Sequence, residues 1–449
     1  MKLSDINKRT EGDINQTLAR KSWIESEVDE KTKKLLRKDA RYFFHQSMST
    51  PCLDVLKGCK GSYIENISGK KYLDFHGNNV HQIGYSNPKL IENIINQLQT
   101  LSFSPRRFTN EPAINFAEKL ATLMPSNLNR ILLTPNGSSA IGIALKLARA
   151  VTKKHKVVSF WDSFHGASLD AISVGGESVF RDSMGPLMPG VERIPPPVTY
   201  RGIFEDNENK CLEYLEYVFS KEGDIGAFIA ETIRNTDVQI PSEHFWKEAR
   251  RICTKYEVLL ILDEIPIALG RTGKMFAFEY YGIEPDILCI GKGLGGGIIP
   301  QAAIITRDDY NIFNDISLGH YTHEKSPLGA IAGLTTINII EKENLLKKVQ
   351  RDEIYIQSAL AALKLKYRMI GDVRGIGLLW AVELVKNRQT KEKAVEEAEK
   401  VMYECLKRGL SFKVSAGNVL QLSPALTISR NELNMALNIL DESLSIIHN

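Results

Sequence analysis

The chain has 449 residues, of which 43% are hydrophobic and 25% are charged, a composition typical of a globular protein with a large core and at least one smaller domain. Lysine and arginine total 57 and aspartate and glutamate total 54, which leaves a formal net charge of +3. With so small a net charge the chain is not strongly basic, so there is no reason to expect a nucleic acid as partner.

The cysteines are scattered without the paired spacing of a metal site, so no metal is predicted. Several lie in apolar runs, and we interpret all six as reduced, buried side chains of a cytoplasmic protein: Cys52, Cys59, Cys211, Cys253, Cys289 and Cys405. The first residues contain no apolar segment of signal-peptide length. No run approaches the roughly 20 apolar residues of a membrane helix, so no membrane partner is predicted.

The first part of the chain predicts helices and one hairpin. Residues 1–45 are charged and helix-prone, which is typical of a solvated arm. Alternating residues around Ser68 and Gly69 predict a hairpin over 61–75. The polar loop that follows, with His76 and Asn78, is either a pocket wall or an ordinary loop. Helices that begin near a proline are predicted over 88–100 and 112–124.

Two adjacent arginines, Arg106 and Arg107, lie in the loop between those two helices. Such a pair is usually solvated surface. If the two side chains face a pocket instead, they offer bidentate donors to a carboxylate or a phosphonate.

A strand over about 130–135 runs through a short polar turn into a helix that begins near Gly137 and Ser138. Backbone N–H groups and a hydroxyl at the positive end of a helix form a cradle for a phosphate. A serine here is also explained as an ordinary helix cap, which needs no ligand.

Two further strands end on residues of chemical interest. The strand over 156–161 leads to Phe164 and His165. An aromatic side chain at this position either stacks on a planar ligand or packs in the core. The strand over 225–231 ends on the carboxylate of Glu231.

The strongest signal is a pair of apolar strands that end on opposite charges. The run from Leu259 ends on Asp263, and the run from Ile287 is followed by Lys292 and a turn dense in glycine. Loss of hydration favours a neutral lysine amine, which is the form that makes a Schiff base. An amine and a carboxylate at strand ends are what pyridoxal phosphate needs, although a surface lysine and a capping aspartate explain each residue alone.

Strands near residues 131, 157, 227, 259 and 287 with helices between them predict an α/β domain with a mostly parallel sheet. After helices over about 326–367, alternating strands and helices predict a second, smaller α+β domain assembled from both termini. We therefore predict an N-terminal helical arm (1–45), a first part of the small domain with a linking segment (46–104), a large cofactor-binding domain (105–340) and a C-terminal small domain (341–449).

From about Gly61 onward, the motifs resemble the class III, pyridoxal-phosphate-dependent aminotransferases of the ω-aminotransferase type. The resemblance is carried by Leu260 to Ile265, Gly270 to Gly273, Pro285 and Asp286, and Gly291 to Gly297. It implies a fold type I homodimer with a seven-stranded type of sheet and shared active sites. It also implies cofactor-binding roles: Lys292 as the Schiff-base lysine, Asp263 as partner of the pyridine nitrogen, Phe164 as the stacking ring, Gly137 and Ser138 as phosphate binders, Thr322 as a donor to the neighbouring subunit's phosphate, and His165 and Glu231 as further candidates.

The chain departs from the family pattern in four places. A glutamate usual after the phosphate serine is absent from the stretch ending at Gly142, Thr232 replaces a proline, and larger residues follow Thr322. Gln421 stands where many members that handle carboxylate substrates have an arginine. A neutral amide makes no charge-assisted fork with a carboxylate, so a 2-oxo acid acceptor must bind differently or not at all.

Two reactions remain open, and an intact Lys292 and Asp263 disfavour a non-catalytic relative. Segments around 40–54, 75–78, 105–107 and 319–325 resemble a branch of the family that removes ammonia from 1-hydroxy-2-aminoethylphosphonate. The first hypothesis is therefore an ammonia-lyase that gives phosphonoacetaldehyde, and the alternative is an ω-transaminase. For a small anionic amine as substrate, the binding candidates are His76, Asn78, Arg106, Arg107 and Lys325.

Overall fold

The computed structural model describes residues 17–46 and 52–448. Residues 1–16 of the predicted arm, and residues 47–51 of the segment that begins the predicted small domain, lie outside the described residues. The described part of the arm is helical, with α1 over Leu18–Glu27 and α2 over Glu30–Tyr42. Thr17 and Asp29 cap these helices by accepting hydrogen bonds from backbone N–H groups of the first turn.

The predicted hairpin and the two helices after it are confirmed. Strands β1 (Leu56–Lys60), β2 (Tyr63–Asn66) and β3 (Lys71–Asp74) pair in antiparallel order, and the β2–β3 turn contains Gly69 with φ +91°. Helices α3 (Pro88–Thr100) and α4 (Glu111–Thr122) each have a proline in the first turn, where a missing N–H costs nothing.

A seven-stranded sheet forms the centre of the molecule and confirms the predicted fold class. Its order is β4-β10-β9-β8-β7-β5-β6; β10 is antiparallel to both neighbours and the other pairs are parallel. The strands are β4 (Leu128–Thr134), β5 (Lys156–Phe160), β6 (Val191–Ile194), β7 (Ile225–Glu231), β8 (Leu259–Asp263), β9 (Ile287–Ile290) and β10 (Ala302–Arg307). The sequence had not predicted β6, which is short and half charged, or β10.

Helices cover both faces of this sheet. The bounds are α5 (Gly137–Thr152), α6 (Leu169–Val174), α7 (Ser178–Arg181), α8 (Glu208–Lys221) and α9 (Glu243–Lys255). Helix α5 packs on one face, where its buried apolar side chains join those of β7, β8 and β9 in one cluster. Because β7, β8 and β9 are buried along their whole length, their polar ends are the only places where these strands meet a ligand.

The C-terminal part builds one smaller sheet, adds one strand to the sheet of β1, β2 and β3, and contributes long helices. Its elements are α10 (Pro327–Lys342), α11 (Leu345–Lys366), β11 (Ile370–Ile376), β12 (Leu379–Leu384), α12 (Val395–Lys407), β13 (Leu410–Ser411), β14 (Lys413–Ser415), β15 (Val419–Leu422) and α13 (Arg430–His448). One sheet has the order β11-β12-β15-β14, and β13 adds to β3 in the other, so segments from both ends of the chain share a sheet. The domain boundaries given above stay a prediction.

The cysteine prediction is wrong at two positions. Cys59 is exposed on β1, the edge strand of its sheet, and Cys52 is half-buried, whereas the other four are buried. Burial raises the pKa of the Cys211, Cys253 and Cys405 thiols to about 12. Among residues 17–46 and 52–448, no helix combines the length and the apolarity that crossing a membrane requires.

Candidate active site

The register of the parallel strands brings the predicted charged residues to one edge of the sheet. Glu231 at the end of β7 pairs with Asp263 at the end of β8, and Asp263 pairs with Cys289 of β9, shortly before Lys292. A cavity of about 440 Å³ opens at this edge. Seven of the eight predicted cofactor residues line it: Gly137, Ser138, Phe164, His165, Glu231, Asp263 and Lys292.

Asp263 is a buried carboxylate held in a fixed orientation. Its residue is 2% exposed, Oδ2 lies 2.8 Å from His165 Nδ1, and Oδ1 accepts a hydrogen bond from the Ile265 N–H at 3.0 Å. The imidazole of His165 is fully buried too, and its proton must sit on Nδ1 for this bond to form. Each oxygen keeps a lone pair, so the carboxylate remains able to accept a proton-bearing ring nitrogen from the cavity.

Lys292 lies in the left-handed region, with φ +46°, at the start of a tight turn. Such a conformation costs on the order of 1–3 kcal/mol and persists only where the surroundings impose it. The turn is closely packed: a Cβ on Gly293 would lie 2.0 Å from the Gln82 side chain. Gln301 holds the turn from the other side, because its Nε2 donates to the Leu294 and Gly329 carbonyls.

The first turn of α5 is capped by Asn136, so Ser138 is not needed as a helix cap. Asn136 is the cap, and its side chain accepts a hydrogen bond from the Ser139 N–H at 2.9 Å. Gly137 and Ser138 therefore lie in the first turn, at the positive helix end where N–H groups have no intrahelical partner, and both residues line the cavity. Gly137 leaves room for an anion, since a Cβ there would already lie 3.0 Å from Ile265.

Glu231 fixes the loop that contains Phe164. Its Oε1 accepts the Phe164 N–H and its Oε2 accepts the Asn235 N–H, each at 3.1 Å. Burial raises the pKa of Glu231, and the nearby charge of Asp263 adds to this rise. The phenyl ring of Phe164 is a wall of the cavity and packs at 4.7 Å, centroid to centroid, on Phe180.

Several predicted residues lie away from this cavity. Thr322, Arg106, Arg107 and Lys325 are exposed, and Lys325 lines a separate cleft beside β4. Asn78 is exposed, and it is the neighbouring Asn79 that is buried and donates to Asn235 Oδ1 at 3.2 Å. A single copy of the chain therefore does not bring Arg106, Arg107 or Lys325 to the cavity that Lys292 lines.

Sequence reasoning missed two residues of this region, Ile265 and Asn235, and it named Gln421 only as a departure from the family pattern. Ile265 and Asn235 line the cavity, and Gln421 lies behind it, fully buried, with its Nε2 donating to the Asn235 carbonyl at 2.7 Å. The position of Ile265, two residues after Asp263, was a usable signal. No signal in the sequence indicated the contact between Gln421 and Asn235, because the two residues are 186 positions apart.

The residues present fit pyridoxal phosphate. A helix N terminus offers N–H donors for a phosphate, Phe164 and Ile265 offer apolar surface for a planar ring, and Asp263 offers a buried carboxylate for its nitrogen. Lys292 lines the same cavity and supplies an amine for the aldehyde.

The family model of the class III aminotransferases matches residues 44–444. The chain belongs to the class III aminotransferases. It is thus a pyridoxal-phosphate-dependent enzyme, and the cofactor and fold expected from the sequence are confirmed.

Individual relatives differ in their reactions. The chain is 57% identical to the (R)-1-hydroxy-2-aminoethylphosphonate ammonia-lyase of Vibrio splendidus (strain 12B01), over 97% of this chain and 95% of that protein. It is 34% identical to a leucine/methionine racemase of Thermococcus litoralis, over 92% and 95% of the two chains. Among solved structures, the (S)-enantioselective omega-transaminase of Thermomicrobium roseum superposes with a TM-score of 0.87 at 27% identity, covering 93% of this chain and 99% of that one.

The arrangement predicts that Asp263→Asn keeps the cofactor but slows removal of the substrate proton by about a hundredfold or more, since an amide stabilises a protonated ring nitrogen poorly. Exchange of the substrate hydrogen with deuterated solvent, followed by NMR, measures this step. The matched control is Asp308→Asn, an exposed aspartate that pairs with Arg130. Exchange in Asp263→Asn within a factor of a few of the wild-type rate would make the carboxylate structural only.

A second prediction concerns His76. Burial lowers the pKa of His76 to about 3, and the charges of Lys413 and Lys292 contribute. In the unfolded chain a histidine gains its proton near pH 6.5, so this site reduces stability as pH falls from about 6.5 towards 3. The His76→Gln variant should lose less stability than wild type over that range in denaturant titrations. Parallel stability curves for the two proteins would show that His76 is not held neutral.

Proposed function

We propose that the chain is an ammonia-lyase that converts (R)-1-hydroxy-2-aminoethylphosphonate to phosphonoacetaldehyde and ammonia. The observation that carries the proposal is Gln421, a fully buried neutral amide at the position where many members of the resembled family that handle carboxylates have an arginine. The identity of 57% with a lyase of that name supports the same substrate class, a small anionic amine.

The chain's own groups have defined tasks in this reaction. Bound pyridoxal phosphate would withdraw electrons from the carbon that carries the amine. Lys292 takes the proton from that carbon, and Asp263 holds the proton on the pyridine nitrogen. The hydroxyl on the next carbon takes up the proton that Lys292 removed and leaves as water. A second water then gives its oxygen to the amine carbon, one hydrogen to the departing ammonia and one hydrogen to the carbon that lost the hydroxyl, so atoms and charge balance.

A transaminase is the second candidate, and solved relatives such as the Thermomicrobium roseum enzyme favour it. A transaminase must bind an amine and a 2-oxo acid by turns, and the acid brings a carboxylate that needs a positive partner. Gln421 offers that carboxylate no charge. A lyase needs only one substrate, so the loss of the arginine is compatible with a lyase and costly for a transaminase.

The proposal includes a homodimer. Large apolar side chains are exposed along α3, α4 and the loop between them, which is more apolar surface than a monomer usually leaves in water. These residues are Ile91, Ile95, Leu98, Leu101, Phe103, Phe108 and Ile114. In such a dimer, exposed Thr322 would bind the phosphate of the neighbouring subunit's cofactor, as the family resemblance implies.

The reaction is tested by incubating the holoenzyme with (R)-1-hydroxy-2-aminoethylphosphonate alone. We expect many equivalents of ammonia per active site without any 2-oxo acid, and no change in rate when 2-oxoglutarate or pyruvate is added. Ammonia that stops at one equivalent and resumes only with a 2-oxo acid would establish the transaminase instead.

Lys292→Ala should lose turnover by several orders of magnitude, because the amine that binds the cofactor and moves the proton is gone. Its absorption spectrum should lack the band of lysine-linked cofactor. Lys255→Ala is the control, since Lys255 is half exposed on α9 and pairs with Glu216 at the surface. Turnover by Lys292→Ala close to that of this control would remove Lys292 from the mechanism.

A further inference from the structure

The loss of the arginine at position 421 leaves the substrate's negative group without an assigned partner. In the strand pair β14–β15, Lys413 lies directly opposite Gln421 in antiparallel register. Directly opposite residues project from the same face of a sheet, about 5 Å apart. Lys413 and Gln421 therefore share one face, and a positive charge is present one strand away from the position where the family has its arginine.

That face is the one turned toward the cavity wall. Gln421 donates to the carbonyl of Asn235, a residue that lines the cavity. Ser423, two residues further along the chain and hence near the same face, donates to Asn79 Oδ1 at 2.5 Å. The loop of residues 76–79 and the segment at Asn235 are thus what this face packs against.

His76 links the two lysines. Lys413 and Lys292 both help to lower the pKa of His76, after burial itself, so each lysine lies within electrostatic range of His76. His76 is neutral at the working pH of an enzyme, and Gln421 is neutral always. Lys413 therefore places a positive charge near His76 and opposite Gln421, and this charge favours a negative group there.

Three arginines near this wall have ion-pair or hydrogen-bond partners of their own. Arg234 pairs with Asp237 at 3.1 Å and Arg374 with Glu383 at 2.7 Å. Arg271 is fully buried and donates to the carbonyl oxygens of Leu378 and Pro424. Lys413 is half-buried in β14 and also has contacts of its own.

We propose that Lys413 is the residue that determines specificity for an anionic amine, by binding the substrate's phosphonate group beside Gln421. This inference rests on the proposed function, because it names the partner of that substrate's charge. It differs from the sequence prediction, which assigned the task to Arg106, Arg107 or Lys325. In this proposal, the positive charge that the family arginine supplies from the position of Gln421 comes instead from Lys413 on the neighbouring strand.

Lys413→Met removes the charge and keeps the length of the side chain. With (R)-1-hydroxy-2-aminoethylphosphonate, KM should rise about ten- to a hundredfold with little change in kcat, as expected for loss of one charge-assisted contact. With 1-amino-2-propanol, which has a methyl group in place of the phosphonate, KM should stay within about twofold. Lys413→Arg should restore most of the affinity, which a merely structural lysine would not explain.

The matched control is Lys407→Met, because Lys407 is a half-exposed lysine on α12 that pairs with Glu404. Thermal unfolding of each variant shows whether it is folded, and Lys413→Gln replaces Lys413→Met if the latter does not fold. An equal effect of the Lys413 variants on charged and uncharged amines would overturn the proposal. The same holds if only Arg106→Gln, Arg107→Gln or Lys325→Gln abolishes the preference.

Binding of methylphosphonate to the holoenzyme separates this proposal from the reaction itself, since calorimetry requires no turnover. Tighter binding to wild type than to Lys413→Met, by tenfold or more, supports the anion site even if wild type releases no ammonia and the lyase reaction fails. Equal binding to both proteins, together with sustained ammonia release, overturns the anion site and leaves the lyase reaction intact.

Discussion

The hydrogen bond between the buried carboxylate of Asp263 and the imidazole of His165 is the interaction on which the site depends. A carboxylate removed from water is unfavourable unless it is hydrogen-bonded, and here the imidazole and the Ile265 N–H supply those bonds. The same two bonds fix its direction. The sheet then sets its position, since the parallel register aligns the ends of β7, β8 and β9 beside one cavity. A charge held this rigidly stabilises a protonated ring without reorganisation.

Different segments of the chain supply the cofactor-binding groups and the groups proposed to determine substrate specificity. The groups for the cofactor come from the edge of the large sheet and the first turn of α5, elements whose cores are apolar and tightly packed. In the proposed substrate site, the groups near the substrate's charge come from β14, β15 and the loop at His76. A change at Gln421 can therefore alter which amine is accepted while Asp263 and Lys292 remain as they are. This separation is consistent with relatives that share the fold and differ in reaction, such as a lyase, a racemase and transaminases.

The sequence predicted most of the cofactor site because its residues are local to strand ends. Asp263 and Lys292 each follow a run of buried apolar residues, and the parallel arrangement then brings such ends together. The sequence predicted much less about the substrate side. Nothing local relates Gln421 to Asn235 or Lys413 to His76, since those contacts come from packing of distant segments. Arg106 and Arg107 had a suitable charge for a phosphonate, but their exposure in one copy of the chain depends on tertiary structure that a pattern of residues does not contain.

The central claim is that Lys292 is the amine that holds the cofactor opposite Asp263. Reduction of the holoenzyme with borohydride makes that linkage permanent, and peptide mapping by mass spectrometry then identifies the modified lysine. The account predicts one pyridoxyl group per chain, on the peptide that contains Lys292, and its absence when the cofactor is removed before reduction. A pyridoxyl group on any other lysine, or none on Lys292, would contradict the account.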